Sequence, residues 1–315
     1  MNQSPLYELK DIDVTYDMRG STISALQGIS LKGNRGETLG IVGESGCGKS
    51  TLAKVLMGMV SHKRGYIIRP KTQMVFQDPD ASLNPRMTVY NHLKEALIAH
   101  GVVAKDEIQA RIDELFQMLQ IPAEFAEKYP YQLSGGQKQR ICIARALSVD
   151  PELVVCDEPL ASLDISISAQ IILLFKRLQQ EKNLSYLFIT HDLALLSTLA
   201  HTVSVLYLGN IVEYGPKDAL YQTPLHPYTQ ALLSSILQPD PELEKRRPHI
   251  VVPGELPSII HPPAGCPFHT RCPFVTDLCR TTKPALVEHA PGHFVACHLH
   301  KISGTVSTSS GGPQN

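Results

Sequence analysis

The first feature able to do chemistry is a glycine-rich loop that ends in a lysine and two hydroxyl residues. It fits the pattern G-x-x-x-x-G-K-[ST]. Glycines let backbone N–H groups turn towards phosphate oxygens, and the N-terminus of a following helix adds a partial positive charge. We expect Lys49 to reach the β- and γ-phosphates and the Ser50 hydroxyl to bind Mg²⁺. The loop therefore predicts binding of ATP or GTP with Mg²⁺, and its residues are Gly43, Glu44, Ser45, Gly46, Cys47, Gly48, Lys49, Ser50 and Thr51.

A pair of carboxylates follows an apolar run further along the chain. The run Leu153–Cys156 predicts a buried strand, and Asp157 and Glu158 come at its carboxyl end, where ligands bind in open α/β sheets. We expect Asp157 to hold Mg²⁺ indirectly or through water, and Glu158 to polarise the attacking water. A strand that merely ends in two acidic residues would be common. The presence of a phosphate loop favours the catalytic interpretation.

A second helix start with exposed backbone donors lies at residues 133–137. Ser134 is a favourable N-cap, and the two glycines leave backbone N–H groups accessible at the helix end. The sequence therefore has two phosphate-binding helix ends but one phosphate loop, which leaves open which nucleotide the second end contacts. The residues are Leu133, Ser134, Gly135, Gly136 and Gln137.

The elements that must position these residues alternate between strands and helices. The polarity pattern predicts a pair of strands over 7–31 and a short buried strand over 37–42 that enters the phosphate loop. Further apolar strands are predicted at 153–156, 186–189 and 203–208. Helices are predicted at about 88–100, 106–120, 137–149, 166–182 and 192–200. This alternation indicates an α/β fold with a parallel sheet covered on both faces.

Length and composition restrict the class of protein. The 315 residues allow one large α/β domain and a smaller appendage. A net charge of -1, from 29 basic and 30 acidic residues, provides no basic surface for nucleic acid or anionic lipid. No apolar run reaches the about 18 residues of a membrane-spanning helix, and the N-terminus lacks the features of a signal peptide. We therefore expect a cytosolic protein whose cysteines stay reduced.

The C-terminal part differs in composition from the rest of the chain. Proline recurs from 239 to 263 around the charged stretch 242–247, which indicates a linker or an extended arm. The tail from 303 is rich in Ser, Thr and Gly, and we expect it to be disordered.

Four cysteines between these segments are spaced C-x₅-C-x₆-C-x₁₇-C: Cys266, Cys272, Cys279 and Cys297. Thiolates select zinc or an iron–sulfur cluster, but these spacings fit neither the close pairs of common zinc sites nor the bacterial ferredoxin run. A small segment with little hydrophobic core usually needs a bound metal or another cross-link to be stable. Four reduced cysteines without metal are the alternative. Neighbouring histidines could also replace a thiolate: His269, His293, His298 and His300.

Over about residues 6–237 the sequence resembles the ABC ATPase family. The resemblance rests on the phosphate loop, on the two carboxylates after Cys156, and on the L-S-G-G-Q string at 133–137. In that family this string contacts the γ-phosphate of the ATP held by a partner subunit, so that two chains enclose two nucleotides. The resemblance implies a P-loop NTPase fold with a mostly parallel core sheet, an antiparallel β subdomain and a helical subdomain at about 78–150.

Single residues match further positions of this family in the expected order. The resemblance implies that Tyr16 stacks on adenine, that Gln77 senses Mg²⁺ and the transmembrane partner, and that His191 lies near the γ-phosphate. It also places Asp164 in a loop that crosses the dimer interface. Taken singly, such residues are more often structural, and the assignment depends on their joint order and spacing.

Two segments depart from the family pattern. The segment 158–164 keeps the frame E-P-x-x-x-L-D but changes the usual middle residues. The segment 57–77 is shorter than importers of this kind usually have. We therefore expect a trimmed β-rich flap that removes no catalytic group.

The C-terminal part resembles a narrower family, the ATPases of oligopeptide, dipeptide and nickel importers. The matching segments are 226–232, 266–273 and 295–298. The resemblance implies that the four cysteines hold a [4Fe-4S] cluster with a structural or regulatory role, and zinc is the alternative. It also implies three parts, namely an ATPase domain at 1–237, a proline- and cysteine-rich C-terminal domain at 238–302, and a disordered tail at 303–315.

The two resemblances imply an ATP-hydrolysing subunit that energises a membrane importer of di- or oligopeptides. Such a subunit lies peripherally on the cytoplasmic face of the inner membrane. Its partners would be a second, paralogous ATPase subunit, two transmembrane permease subunits and an extracytoplasmic solute-binding protein. A nickel or nickel-chelate importer is the alternative. A soluble ABC ATPase acting on DNA or ribosomes is favoured less, because such chains tend to carry two nucleotide modules or a long heptad insertion.

Overall fold

The computed structural model describes residues 4–18, 20–161, 163–236, 250 and 252–300. The charged stretch 242–247, the predicted boundary at 237–238 and the tail from 303 lie outside the described residues.

The described strands are, in chain order, β1 (Tyr7–Met18), β2 (Ser21–Gly33), β3 (Thr38–Val42), β4 (Arg64–Ile68), β5 (Thr72–Val75), β6 (Leu153–Asp157), β7 (Ser185–Ile189), β8 (Thr202–Tyr207), β9 (Asn210–Pro216), β10 (Val287–Ala290) and β11 (His293–Val295). The described α-helices are α1 (Lys49–Met57), α2 (Pro79–Ser82), α3 (Val89–His100), α4 (Ile108–Leu119), α5 (Gly135–Leu147), α6 (Ile165–Lys182), α7 (Leu193–Leu199), α8 (Lys217–Gln222), α9 (Pro227–Ser234) and α10 (Asp277–Thr281).

The larger sheet forms the centre of the molecule. Its strand order is β10-β11-β9-β8-β3-β7-β6-β5. The strands from β8 to β5 are parallel, whereas β9, β11 and β10 continue the sheet in antiparallel orientation. Every residue of β3, β6 and β7 is buried. Because strands covered on both faces are continuous apolar runs, these strands could be predicted from the sequence to within two residues.

A smaller antiparallel sheet, β2-β1-β4, packs beside the phosphate-binding helix. Its buried side chains share one apolar cluster with α1 and with one face of the larger sheet. The short segment 57–77 supplies both β4 and β5. The antiparallel β subdomain implied by the resemblance is therefore present.

Helices cover the opposite face of the larger sheet. α3, α4 and α5 bury a second apolar cluster together with α6 and α7. The side chain of Thr88 caps α3 by accepting a hydrogen bond from the N–H of Asn91 (3.3 Å), and Gly101 ends this helix in the left-handed conformation. The observed α/β architecture agrees with the predicted fold class. Among the described residues, no helix is both long and apolar enough to cross a membrane.

The C-terminal part is joined to the core rather than set apart from it. β10 and β11 form a hairpin, and β11 pairs with β9 at the edge of the larger sheet. Cys266, Phe268 and Cys279 are buried in the same apolar cluster as the helices. The sequence did not predict β9, β10 or β11, and the last two have only four and three residues. The division of the chain at 237 stays a prediction.

Candidate functional site

The phosphate loop joins the buried strand β3 to the start of α1. Gly43 and Gly48 have positive φ values of 159° and 110°. A Cβ atom at Gly43 would lie 2.3 Å from the carbonyl oxygen of Leu206, and one at Gly48 would lie 2.6 Å from that of Ala25. Close backbone contacts therefore require glycine at both positions. They also hold the loop in a fixed shape at the helix N-terminus.

Lys49 lies inside this loop. Its Nζ atom donates to the carbonyl oxygens of Gly43 at 2.7 Å and Glu44 at 3.0 Å. Only 6% of Lys49 is exposed. The ammonium group is therefore placed at the loop where the motif predicts the β- and γ-phosphates.

Asp157 ends β6 at the same edge of the sheet. It is 7% exposed. Burial raises the pKa of its carboxyl group, and a hydrogen bond with the Ser50 side chain opposes that shift. Asp157 and Ser50 are thus neighbours, as required of the two groups that we expect to hold Mg²⁺.

Glu158 and His191 follow the adjacent strands β6 and β7. Glu158 has a positive φ of 46°, and its N–H donates to the carbonyl oxygen of Ile189 at 2.9 Å. This uncommon backbone conformation turns the chain sharply after the strand. The Oε2 atom of Glu158 lies 3.2 Å from Nδ1 of His191. The two side chains form a pair beside the phosphate loop.

A cavity of about 670 Å³ collects the predicted residues from separate segments. Tyr16, Gln77, Glu158 and His191 all line it together with most of the phosphate loop. Other lining residues belong to no motif, namely Ile23, Ser24, Ala25, Leu208, Gly209 and Ile259. The first three lie on β2, where Ile23 pairs with Tyr16 of β1, so the strand pairing was the available signal for them.

Residues 133–137 do not line this cavity in the described part of the chain. Ser134 caps α5, since its Oγ atom accepts from the N–H of Gln137 at 3.4 Å. Reciprocally, the N–H of Ser134 donates to Oε1 of Gln137 at 2.9 Å. A Cβ atom at Gly136 would come within 2.5 Å of Ile167 in α6. The signature segment is therefore packed against α6.

Asp164 lies next to the signature segment and caps α6. Its carboxylate accepts from the N–H of Ile167 at 2.9 Å and from the hydroxyl of Ser166 at 2.7 Å. These hydrogen bonds lower the pKa of the exposed Asp164 carboxyl group. A Cβ atom at Gly135 would contact Leu163 at 3.4 Å, which places this loop beside the start of α5.

The side chain of Glu44 is held by residues that the motif analysis did not single out. Nη1 of Arg271 lies 3.0 Å from both carboxylate oxygens of Glu44. The N–H of Glu44 donates to the hydroxyl of Tyr228 at 2.9 Å. No spacing rule links Arg271 to the phosphate loop, because the two residues are 227 positions apart.

The four C-terminal cysteines are close enough to interact electrostatically. Burial raises the pKa of Cys297 to about 11, and the other three thiols add to this shift. The N–H of Cys266 donates to the carbonyl oxygen of Cys279 at 2.8 Å. Over the described residues, no group of three or more His, Cys, Asp or Glu side chains is arranged around a single metal ion.

Two family models match the chain. The family model described as "ABC transporter" matches residues 26–161. The family model described as "Oligopeptide/dipeptide transporter, C-terminal region" matches residues 212–279.

Curated relatives match over most of their length. The chain is 44% identical over 324 residues to the putative oligopeptide transport ATP-binding protein YkfD of Bacillus subtilis, covering 97% of this chain and 98% of the relative. It is 43% identical over 309 residues to the oligopeptide transport ATP-binding protein OppF of Escherichia coli, covering 92% of each.

Two solved structures are similar in fold to this chain. One is a dimeric post-hydrolysis state of the ATP-binding cassette MJ0796 bound to ADP and Pi, with a TM-score of 0.61 and 28% identity. The match covers 67% of this chain and 98% of that one. The other is cbiO1 from Clostridium perfringens, with a TM-score of 0.62 and 27% identity, covering 70% of this chain and 92% of that one. The chain therefore belongs to the family of ABC transporter ATP-binding subunits with an oligopeptide/dipeptide transporter C-terminal region, and it is an ATPase.

Proposed function

We propose that this chain hydrolyses ATP to energise a membrane importer of di- or oligopeptides. The observation that carries the proposal is the cavity in which Lys49, Glu158 and His191 meet around the phosphate loop. The names of the relatives, which are oligopeptide transport ATP-binding proteins, support the choice of cargo.

The predicted residues in and beside the cavity have separate roles in this proposal. Lys49 binds the β- and γ-phosphates, Ser50 and Asp157 hold Mg²⁺, and Glu158 polarises the attacking water. His191, 3.2 Å from Glu158, orients that carboxylate and lies near the γ-phosphate. Tyr16 stacks on the adenine, and Gln77 links the Mg²⁺ site to the transmembrane partner.

Residues 133–137 act on a second nucleotide, bound to a partner ATPase. Support comes from their position outside the chain's own cavity, with backbone donors at the start of α5. Asp164, beside them, lies at the same interface. Closure of two chains would complete both sites, and hydrolysis would reopen them. We infer that the partner is a paralogue.

The complete system comprises two ATPase subunits, two permease subunits and an extracytoplasmic solute-binding protein. The chain sits on the cytoplasmic face of the inner membrane through its permease partners. Phe76 and Gln77 are exposed at the end of β5, where a permease could contact the site. The three-part division at 237 and 302 belongs to the same proposal.

The four cysteines are proposed to hold a [4Fe-4S] cluster. Their fit rests on the 2.8 Å hydrogen bond from the N–H of Cys266 to the carbonyl oxygen of Cys279 and on the packing of Cys272 against the same apolar cluster as these two residues. In a cubane cluster each thiolate binds a different iron, so the thiols need not converge on one ion. When bound, the cluster would link α10 to the segment around Cys266 and Cys272.

Reconstitution of the complex tests the transport proposal. The tagged chain is purified with its co-purifying permease and ATPase subunits, which are identified and placed in liposomes with the solute-binding protein. We expect ATP-dependent uptake of labelled peptides and none with a complex carrying Glu158→Gln. Uptake of nickel or a nickel chelate instead of peptide would overturn the cargo, and co-purification with a second identical chain would overturn the heterodimer.

Metal analysis of the full chain tests the cluster. Protein purified without oxygen should contain about four iron and four acid-labile sulfide per chain. Cys272→Ser should lose most of this content. Cys142→Ala, a matched control at a buried cysteine of α5, should keep it. Stoichiometric zinc, or no metal in the native chain, would contradict the proposal.

A further inference from the structure

Arg271 is a residue of the C-terminal part that reaches into the phosphate loop. It directly precedes Cys272 in the chain. Its Nη1 atom nevertheless lies 3.0 Å from both Oε1 and Oε2 of Glu44. Arg271 is 9% exposed and the Glu44 side chain is 30% exposed, so the guanidinium end of the pair is shielded from water and the carboxylate end is half-buried. Shielded, charge-assisted contacts are stronger than exposed ones.

The guanidinium group of Arg271 is itself held in place. It donates to the hydroxyl of Tyr207 and to the carbonyl oxygen of Pro253, each at 3.4 Å. Tyr207 packs edge-on against Phe268 and Tyr228, with ring centroids 5.2 Å and 4.8 Å apart. Arg271 is thus fixed by a rigid aromatic group that joins β8, α9 and the cysteine-containing segment.

Glu44 is consequently held at three points. Arg271 binds its carboxylate, Tyr228 accepts from its N–H at 2.9 Å, and Lys49 donates to its carbonyl oxygen at 3.0 Å. Two of these three contacts come from α9 and the segment beyond it. The shape of the phosphate loop therefore depends on the C-terminal part of the chain.

The pair also affects the charge of the nucleotide cavity. Glu44 lines this cavity, into which the negatively charged triphosphate must enter. An uncompensated carboxylate at that position would repel the phosphates. Because Arg271 neutralises it, the negative side chain is tolerated within the phosphate loop.

We propose that Arg271 is a positioning residue for ATP binding, through which the C-terminal part of the chain sets the nucleotide affinity. It touches Glu44 rather than ATP. It acts by fixing the phosphate loop and by compensating its carboxylate. The proposal requires that the loop binds ATP, and it is independent of the transported cargo and of the metal at the cysteines.

A double-mutant cycle on the full chain tests the proposal. Binding of a fluorescent ATP analogue with Mg²⁺ is measured for the native chain, Arg271→Met, Glu44→Gln and the double variant. We expect Arg271→Met to raise the dissociation constant about fivefold or more, in the usual range for coupled sites. Adding Glu44→Gln should recover most of that loss, because it removes the uncompensated charge. Glu44→Gln alone should bind more tightly than Arg271→Met.

Arg280→Met is the matched control. Arg280 is exposed and directly follows Cys279, so its loss removes the same charge beside another cysteine. The affinity of the Arg280→Met variant for ATP should equal that of the native chain. The ATPase assay should show the Arg271→Met effect in KM, with kcat at saturating ATP within about twofold. A purely structural role would instead lower thermal stability and kcat without recovery by Glu44→Gln.

Arg271→Lys keeps the test decisive if Arg271→Met does not fold. A lysine keeps the charge but cannot hold Glu44, Tyr207 and Pro253 together. We expect a loss of affinity of about twofold to threefold that Glu44→Gln again relieves. Native affinity in the folded Arg271 variants, or a loss that Glu44→Gln does not relieve, overturns the proposal. Absence of ATP binding by the native chain would instead contradict the proposed phosphate-site roles.

Discussion

Two helix N-termini with phosphate-binding sequences behave differently in this structure. The start of α1 has no side-chain cap, because Gly48 precedes it, and it lies in the chain's own cavity. The start of α5 is capped by Ser134 and Gln137, and it does not line that cavity. Both ends have backbone donors next to glycines. Within the described residues, the start of α1 contains Lys49 and Ser50 and lies beside Asp157, and we propose that these three residues bind the phosphates and Mg²⁺.

In the proposed dimer, each chain binds one triphosphate at the start of α1 and contacts the nucleotide of its partner with the start of α5. At α5 the capping box satisfies the N–H groups of Ser134 and Gln137, so a ligand must bind the N–H groups of Gly135 and Gly136 or displace the capping contacts. The ligand would come from a partner chain in the proposed dimer. Binding and turnover should therefore respond to different residues.

The largest effect is expected from Glu158→Gln. Removing the proposed base should lower kcat by about 10²- to 10⁴-fold, in the range of general base catalysis. ATP binding should be retained, and the variant should accumulate with its partner ATPase as a closed dimer that holds ATP. Single-turnover hydrolysis and size-exclusion chromatography with ATP measure these two results. Undiminished hydrolysis would eliminate Glu158 as the base.

Lys49→Met tests the N-terminus of α1, which has no side-chain cap. The variant removes the ammonium group that lies against Gly43 and Glu44, so ATP affinity should fall roughly 100-fold, as for loss of a buried charged contact. Equilibrium binding of a fluorescent ATP analogue measures it. Lys54→Met, on the same helix outside the loop, is the control. Binding close to native by Lys49→Met would show that the glycine loop and the helix end suffice without the lysine.

The N-terminus of a third helix, α9, predicts how the stability of the fold depends on pH. The Nδ1 atom of His226 accepts from the N–H of Tyr228 at 3.0 Å and thereby caps α9. Burial lowers the pKa of His226 to about 4, although the carboxylate of Glu213 opposes this shift. The unfolded chain binds the proton more readily, so stability is fully present above about pH 6.5 and is lost as the pH falls towards 4. The loss should be about 1–3 kcal/mol.

Chemical denaturation at several pH values measures this effect. His226→Asn can still cap the helix but does not titrate. We expect its stability to be lower throughout and to change less between pH 6.5 and 4 than that of the native chain. The same slope in both proteins would show that other groups cause the acid sensitivity.

The smallest effect is expected from Ser134→Ala at the N-terminus of α5, which has a side-chain cap. Loss of the cap should cost about 1 kcal/mol of stability. Affinity of the separate chain for ATP should be unchanged, whereas turnover in the assembled ATPase pair should fall roughly tenfold, as for one lost charge-assisted hydrogen bond. Ser148→Ala, at the other end of α5, is the control for stability. Weaker ATP binding by the separate Ser134→Ala chain would contradict the division between the two helix ends.

Much of the fold could be predicted because its buried strands are short apolar runs with chemistry at their ends. β3, β6 and β7 were located this way, and Asp157 and Glu158 follow directly from β6. The helix pattern at 166–182 matches α6 (Ile165–Lys182) to within one residue. The strands β10 and β11 were missed because four and three residues are too few to show a period. β9 was missed because it ends in Gly215 and Pro216, which favour a turn.

The sequence by itself determined the phosphate loop, the two carboxylates and the capped signature helix, because each is a contiguous pattern whose chemistry depends on neighbours in the chain. Only the tertiary structure decided what surrounds them. It placed β2 and Ile259 in the wall of the nucleotide cavity, and it paired Arg271 with Glu44 across 227 positions. Such contacts arise from sheet order and packing, which bring distant segments together, and no local spacing in the sequence predicts them.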